Sequence, residues 1–150
     1  MGKIECGLCQ RTEKYTRLDI KDYNYWGVTL FENQYYLGRS IIFLKRHAGD
    51  AFIDTNIDEK NELENIVIPK LTNAISGLYK PDRFNYAALG NEVGHAHWHI
   101  IPRYKNEREI NGVVFKDENW GKNYASYNKN FKIEDEILLR IRSDISNIIK

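Results

Sequence analysis

Residues 95 to 99 read His95-Ala96-His97-Trp98-His99, which sets three of the chain's four histidines at alternate positions within five residues. On a strand side chains repeat with period 2, so this alternation predicts three imidazoles on one face. Imidazole has the unperturbed pKa nearest neutrality and serves as nucleophile, general base or metal ligand. Three readings are open. The histidines can be the polar face of an edge strand, although such faces more often carry Lys, Glu and Thr. They can form one metal site: neighbours about 6.6 Å apart can chelate, whereas the outer pair, about 13 Å apart, needs a distorted strand. Or the central His97 is a nucleophile, flanked and oriented by His95 and His99, which is the reading we favour. Attack on phosphorus by a neutral imidazole forms a phosphoramidate and divides one hard displacement into two. That chemistry requires an acceptor that fixes the ring tautomer, and donors for the phosphate oxygens that carry the charge of a loose transition state. The glycine turn from Gly90 to Gly94 can supply backbone N–H donors.

A second cluster stands at the other end of the chain. Cys6-Gly7-Leu8-Cys9 has the spacing of a zinc half-site. Its remaining ligands would have to come from far along the sequence, where His47 is the one histidine outside the triple. The alternative is two ordinary reduced thiols and a surface histidine.

The elements that must position these residues follow from periodicity and punctuation. Tyr25 to Phe31 and Ser40 to Leu44 are rich in β-branched and aromatic residues and read as strands, joined by a turn over 32–38. Thr55 to Asp58 and Asn56 to Glu59 both offer capping-box chemistry before apolar residues at helical spacing from Leu63 to Leu78. The resulting helix of about twenty residues carries one fault, Pro69, which costs about 3 kcal/mol unless the helix kinks. Lys80-Pro81-Asp82 stops it. Phe84 to Leu89 and His95 to Pro102 read as two more strands, and Ile133, Ile137, Leu138, Ile141 and Ile145 predict a C-terminal helix over 133–150. Residues 105–132 are polar, aromatic and longer than a normal connection, which predicts a functional or subunit-contact excursion with a short strand at Val113 to Phe115. The whole is expected to be a single α+β domain over 1–150, with a mainly antiparallel sheet.

Composition excludes several function classes. Lys plus Arg 22 against Asp plus Glu 21 leaves a net charge of +1, which offers no case for nucleic-acid binding yet leaves room for a small nucleotide. No apolar run reaches the roughly 18 to 20 residues that span a membrane. The opening Met1 to Cys6 lacks the apolar core of a secretory signal, so the expected address is the cytoplasm, where the two cysteines stay reduced.

The segment from Leu89 to Arg103 resembles the signature of the histidine triad (HIT) family, His-φ-His-φ-His-φ-φ with φ apolar: Ala96, Trp98, Ile100 and Ile101 fill the φ positions, and Pro102-Arg103 follows. Upstream, Gly38 to His47 resembles the family's strand ending in a Lys/Arg-x-His turn. The resemblance implies a sheet of about five antiparallel strands with two principal helices, usually as a homodimer. It implies a nucleotide hydrolase or nucleotidyl transferase acting at an α-phosphate, with His97 as nucleophile and His99 and His95 organising the site around it. Asn91, Arg39 and Asn85 become the nucleotide- and phosphate-side candidates, and structural zinc is implied on Cys6, Cys9, His47 and His95. Two departures bear on substrate range. Many relatives carry Gln at the position of Asn91 and Ser or Thr at that of Glu92, and a carboxylate cannot donate when ionised. Positions that are His and Asn in well-studied branches are Arg39 and Phe31. The rival function is a non-catalytic nucleotide-binding or interaction module on the same scaffold. Tyr35 and Tyr36 are expected to pack rather than stack on a base, and Trp120 to Tyr124 could cover a substrate.

Overall fold

Residues 6–150 are described in the computed structural model; Met1 to Glu5, where no secretory signal was read, lie outside them. The two β-branched runs form strands in the expected places. A short helix α1 (Glu13–Thr16) leads into β1 (Asp19–Asp22), β2 (Trp26–Leu30) and β3 (Ser40–Leu44). After the long helical region come β4 (Arg83–Ala87) and β5 (His97–Arg103). These five strands make one sheet in the order β1-β2-β3-β5-β4, every neighbouring pair antiparallel. β1 went unread in the sequence: it is four residues long, and its pairing with β2 is interrupted by a register shift between Asp19 and Lys21.

Register decides which residues share the site. Thr29, Ile41, His99 and Ala87 lie side by side across β2, β3, β5 and β4, and Gly27, Phe43 and His97 lie in the next row. Because side chains alternate, Val28, Leu30, Ile42, Leu44 and Ile100 point to the opposite face. There they form the main core with Leu71, Ile75, Ile141 and Ile145 of the helices. One face of the sheet is therefore committed to burial, and that commitment fixes the register that presents His97 and His99 on the other.

The helix expected from the capping boxes begins as read. Asn56 accepts from the Glu59 N–H at 2.9 Å and Glu59 returns the bond to the Asn56 N–H at 2.9 Å, starting α2 (Ile57–Glu62). Pro69 is accommodated by a π-helical turn (Leu63–Val67) just ahead of it, in which the Ile68 N–H reaches back to the Leu63 carbonyl. The wider turn relieves the clash between the proline ring and the preceding carbonyls, and α3 (Ile68–Tyr79) continues until Lys80 turns left-handed at φ 52°. Helix α4 (Asp135–Ile148) closes the chain and packs against α3 and β1.

The excursion holds a hairpin where one strand was expected. β6 (Arg108–Ile110) pairs with β7 (Val113–Phe115) through Asn111-Gly112, both with positive φ (48° and 82°). That is the favoured two-residue turn, and the Asn-Gly pair was its signal in the sequence. Residues 116–132 then fold back over the histidine-bearing side without regular structure. Arg103 and Asp117 pin this segment through a buried ion pair at 2.7 Å, and the Tyr36 hydroxyl donates to the Tyr124 carbonyl at 2.7 Å. Among the described residues no helix is long and apolar enough to cross a membrane.

Candidate active site and metal centre

Strand β5 begins two residues later than expected, at His97. His95 stands outside the ladder: its N–H donates to the Val93 carbonyl at 2.8 Å, and the Ala96 N–H that follows donates to Ala48 at 2.7 Å. The three imidazoles consequently do not share one face. His97 and His99 do, with ring centroids 5.2 Å apart; His95 turns away toward the N-terminal cysteines.

There it completes a four-residue cluster. A tight turn, in which the Cys9 and Gln10 N–H groups both donate to the Cys6 carbonyl, sets the two sulfurs together. His47 comes from the chain leaving β3, where the neighbouring Arg46 is held by Glu59 and the Asp54 carbonyl. Cys6 Sγ lies 3.3 Å from His95 Nδ1, Cys9 Sγ lies 3.3 Å from His47 Nδ1 and 3.5 Å from His95 Nδ1. All four donor atoms fall within 4.8 Å of one another. Zinc bonds of about 2.3 Å to sulfur and 2.0 to 2.1 Å to nitrogen, at tetrahedral angles, put S and N about 3.5 Å apart. The spacing fits. The tautomer fits too: His95 Nε2–H donates to the Leu44 carbonyl at 2.7 Å, which leaves the Nδ1 lone pair facing the sulfurs. Burial lowers the pKa of His95, favouring the neutral ring a metal needs. A Cys₂His₂ set is closed, so a zinc ion here is structural.

The other face of the same residue serves the triad. The His95 carbonyl accepts from His97 Nδ1–H at 2.6 Å, which leaves the His97 Nε2 lone pair free. His99 packs its edge against Phe31, with centroids 5.6 Å apart, and its Nδ1 lies 3.1 Å from Arg39 Nη2. Burial first, and then the charges of Arg39 and His97, push the pKa of His99 down to about 3. Arg39 is itself buried, which lowers its pKa.

The remaining sequence candidates divide. Arg39 is brought to the triad. Asn85 lies on the same side of the sheet but accepts from Arg103 Nη1 at 2.8 Å, next to the Arg103–Asp117 pair. Asn91 is exposed in the loop before β5. Tyr36 is fully buried, with Tyr35 edge-on at 5.0 Å, so both pack as expected. Trp120 lies beneath Lys105, whereas Tyr124 and Tyr127 of the same segment reach the Arg39 guanidinium, at 5.5 and 4.9 Å from their ring centroids. Tyr127 went unread, its signal being the aromatic density of 115–131. Beside Phe31 and Ile41 opens a cavity of about 740 Å³, lined also by Arg11, Thr29, Glu92 and Phe131.

No protein-family model and no curated protein matches the chain. Solved structures do. A histidine triad protein from Bradyrhizobium japonicum is similar at a TM-score of 0.71, with 22% identity over 88% of this chain and 90% of that one. A HIT family protein from Bacillus anthracis shares 26% identity over 88% and 87% of the two chains, at a TM-score of 0.53. A zinc-bound histidine triad family protein from Mycobacterium smegmatis covers 97% of this chain and 96% of its own, with 17% identity and a TM-score of 0.59. With the His-x-His-x-His segment entering β5, an interior strand of the five-stranded antiparallel sheet, and with these neighbours matched over most of their length, the chain has the histidine triad fold.

Proposed function

We propose that this protein is a nucleotide hydrolase or nucleotidyl transferase that attacks the α-phosphorus of a nucleoside polyphosphate, dinucleoside polyphosphate or nucleoside phosphoramidate. The observation that carries the reading is the His97 Nδ1–H bond to the His95 carbonyl at 2.6 Å. It makes Nε2 the bare nitrogen, the form that a nucleophilic imidazole requires. In the first step the Nε2 lone pair forms a P–N bond while the bond from phosphorus to the leaving oxygen or nitrogen breaks. In the second, water or a phosphate oxygen displaces His97, the P–N bond breaks, and the ring regains its neutral form. His99 and Arg39 organise the phosphate side, His95 holds His97 from behind, and Asn91 in its exposed loop is free to approach the leaving group. Asn85 supports this side of the sheet through Arg103. The cavity of about 740 Å³ is not lined by the triad itself but borders it through Phe31 and Ile41, the neighbours of His99, and has room for the nucleoside. Thiols poised as metal ligands suit a reducing compartment, the cytoplasm.

The chain is further proposed to act as a homodimer with a nucleotide as its substrate. β4 is hydrogen-bonded on one side only among the described strands, and Tyr86 on it and Leu89 just beyond its end are exposed. Light scattering should return about twice the 17.7 kDa chain mass; a monomer at micromolar concentration rejects the dimer.

The function is tested by incubating the protein with adenosine and guanosine polyphosphates, dinucleotides and phosphoramidates and weighing the products. His97→Asn should remain folded and lose turnover by about a thousandfold or more. The parent should carry a nucleotidyl adduct on His97. A folded His97→Asn protein with near-parental turnover on every accepted substrate removes the nucleophile, and binding without turnover across the panel favours a non-catalytic module.

A further inference from the structure

Arg39 is 4% exposed, and among the described residues no carboxylate pairs with it. A guanidinium in that position costs several kcal/mol unless something answers its charge. The ring of Phe31 lies 4.2 Å from its central carbon, and Tyr127 and Tyr124 lie at 4.9 and 5.5 Å. Nε and Nη1 make no hydrogen bond of regular geometry, although the Tyr127 hydroxyl lies near enough to favour the charge. Aromatic faces return part of the cost. The hydrogen-bond partner of regular geometry is Nδ1 of His99, at 3.1 Å from Nη2.

The direction of that bond is not open to choice. A guanidinium has five donors and no acceptor, so Nη2–H donates and His99 Nδ1 must offer its lone pair. The single proton of a neutral His99 then sits on Nε2. One strand position away the reverse holds: His97 gives its Nδ1–H to the His95 carbonyl and keeps Nε2 bare. Two neighbouring imidazoles, with centroids 5.2 Å apart, are therefore held in opposite tautomers by two different partners.

We infer that Arg39 is a positioning residue, which locks His99 as the neutral Nε2–H tautomer so that the third histidine meets the phosphate as a hydrogen-bond donor while His97 attacks. Arg39 does this from behind the ring, without touching the substrate. Its charge, answered by π faces rather than by a carboxylate, is left to favour the negative charge that gathers on the phosphate oxygens in the transition state. The tautomer lock rests on the geometry alone; its service to phosphoryl transfer rests on the function proposed above, and the two are tested separately.

The lock is read by two-bond ¹H–¹⁵N correlation spectra of the full, metal-loaded chain labelled at histidine nitrogen, with His99 assigned by its loss in His99→Gln. In the parent at neutral pH, His99 should show an unprotonated Nδ1 and a protonated Nε2. Arg39→Lys, still a donor-only cation, should keep that pattern. Arg39→Met, of similar length and without donors, should give a tautomer mixture. In the kinetic arm Arg39→Met should lower kcat by about ten- to a hundredfold, less than the roughly hundred- to thousandfold for losing an oriented donor outright because a tautomer mixture keeps part of it, with KM changed less than about threefold, and Arg39→Lys should recover most of it. A parent His99 protonated on Nδ1, or an Arg39→Met spectrum identical to the parent's, overturns the lock. The parent spectrum decides even where Arg39→Met fails to fold. A correct parent tautomer with no turnover on any nucleotide leaves the lock standing and rejects the function instead. Parental kcat in a folded Arg39→Met protein with mixed tautomers rejects its service to the reaction.

Discussion

The His95 carbonyl accepts the Nδ1–H of His97 at 2.6 Å while the His95 ring faces the sulfurs of Cys6 and Cys9. One residue thus belongs to two sites through two different groups, the ring to the metal cluster and the backbone to the triad. A zinc ion that fixes the ring also steadies the peptide whose oxygen sets the His97 tautomer.

Protein purified without chelator should carry about one zinc per chain by elemental analysis. The double substitution Cys6→Ser with Cys9→Ser should lose the metal and melt lower by about 10 °C, as expected for several kcal/mol lost from a chain of this size. Affinity should fall with pH as thiolates and imidazoles take up protons. Less than about a tenth of an equivalent of zinc, or a double variant that melts like the parent, contradicts the structural role.

His99 should remain neutral far into acid. Its native pKa is about 3 against about 6.5 in an unfolded chain, so below pH 6.5 the unfolded state binds the extra proton. The contribution of this residue to stability is complete above pH 6.5. It is lost as the pH falls from 6.5 toward 3, at up to about 1.4 kcal/mol per pH unit. The ring-proton signals of His99 should stay flat from pH 8 to about 4.5 by NMR; a midpoint near 6.5 refutes the burial and the arginine contact together.

Asp117→Ala should destabilise the protein by about 3 to 5 kcal/mol, the cost of stranding a buried cation. Asp117 accepts from Arg103 and from the Tyr104 N–H, and the Arg103–Asp117 pair is almost wholly out of water. Hydrogen exchange should quicken in residues 116–132, which lose their anchor to the end of β5. A urea midpoint shifted by less than the equivalent of about 1 kcal/mol is the contrary result.

Gly27→Ala tests the floor of the site. A Cβ at this position collides with the Phe43 ring, which lies beneath Arg11 and in register with His97. Overpacking of this kind costs about 1 to 3 kcal/mol, and Phe43→Leu in the same chain should recover part of it by making room. If Gly27→Ala melts at the parental temperature, the ring is not held where it is described.

Features set by near neighbours were legible in the residues. The Asn56–Glu59 capping box and the C-terminal helix answer to contacts three to four positions apart, and Ser40–Leu44 to a local run of β-branched and aromatic residues, and each stands where its pattern placed it. The Asn111-Gly112 turn of the hairpin is equally local, since both residues adopt the positive φ that an Asn-Gly pair favours. β1 and the path of residues 116–132 carried no comparable period, because they are held by partners from other parts of the chain: β1 by β2, Arg11 and Ser146, and the 116–132 segment by Arg103 and Tyr36.

The sequence by itself singled out three histidines and two cysteines as the candidates for chemistry, and determined an α+β class with a mainly antiparallel sheet. Only the tertiary structure decided what each imidazole is. Alternation placed His95 with the other two, but tertiary partners pulled it out of the strand: Leu44 holds its ring and Ala48 the peptide that follows, 51 and 48 positions away. Arg39, 60 positions from His99, sets which nitrogen of that ring carries the proton. Periodicity fixes the face of a strand on which a side chain lies; a tautomer is fixed by the atom that meets the ring, and folding alone brings that atom there.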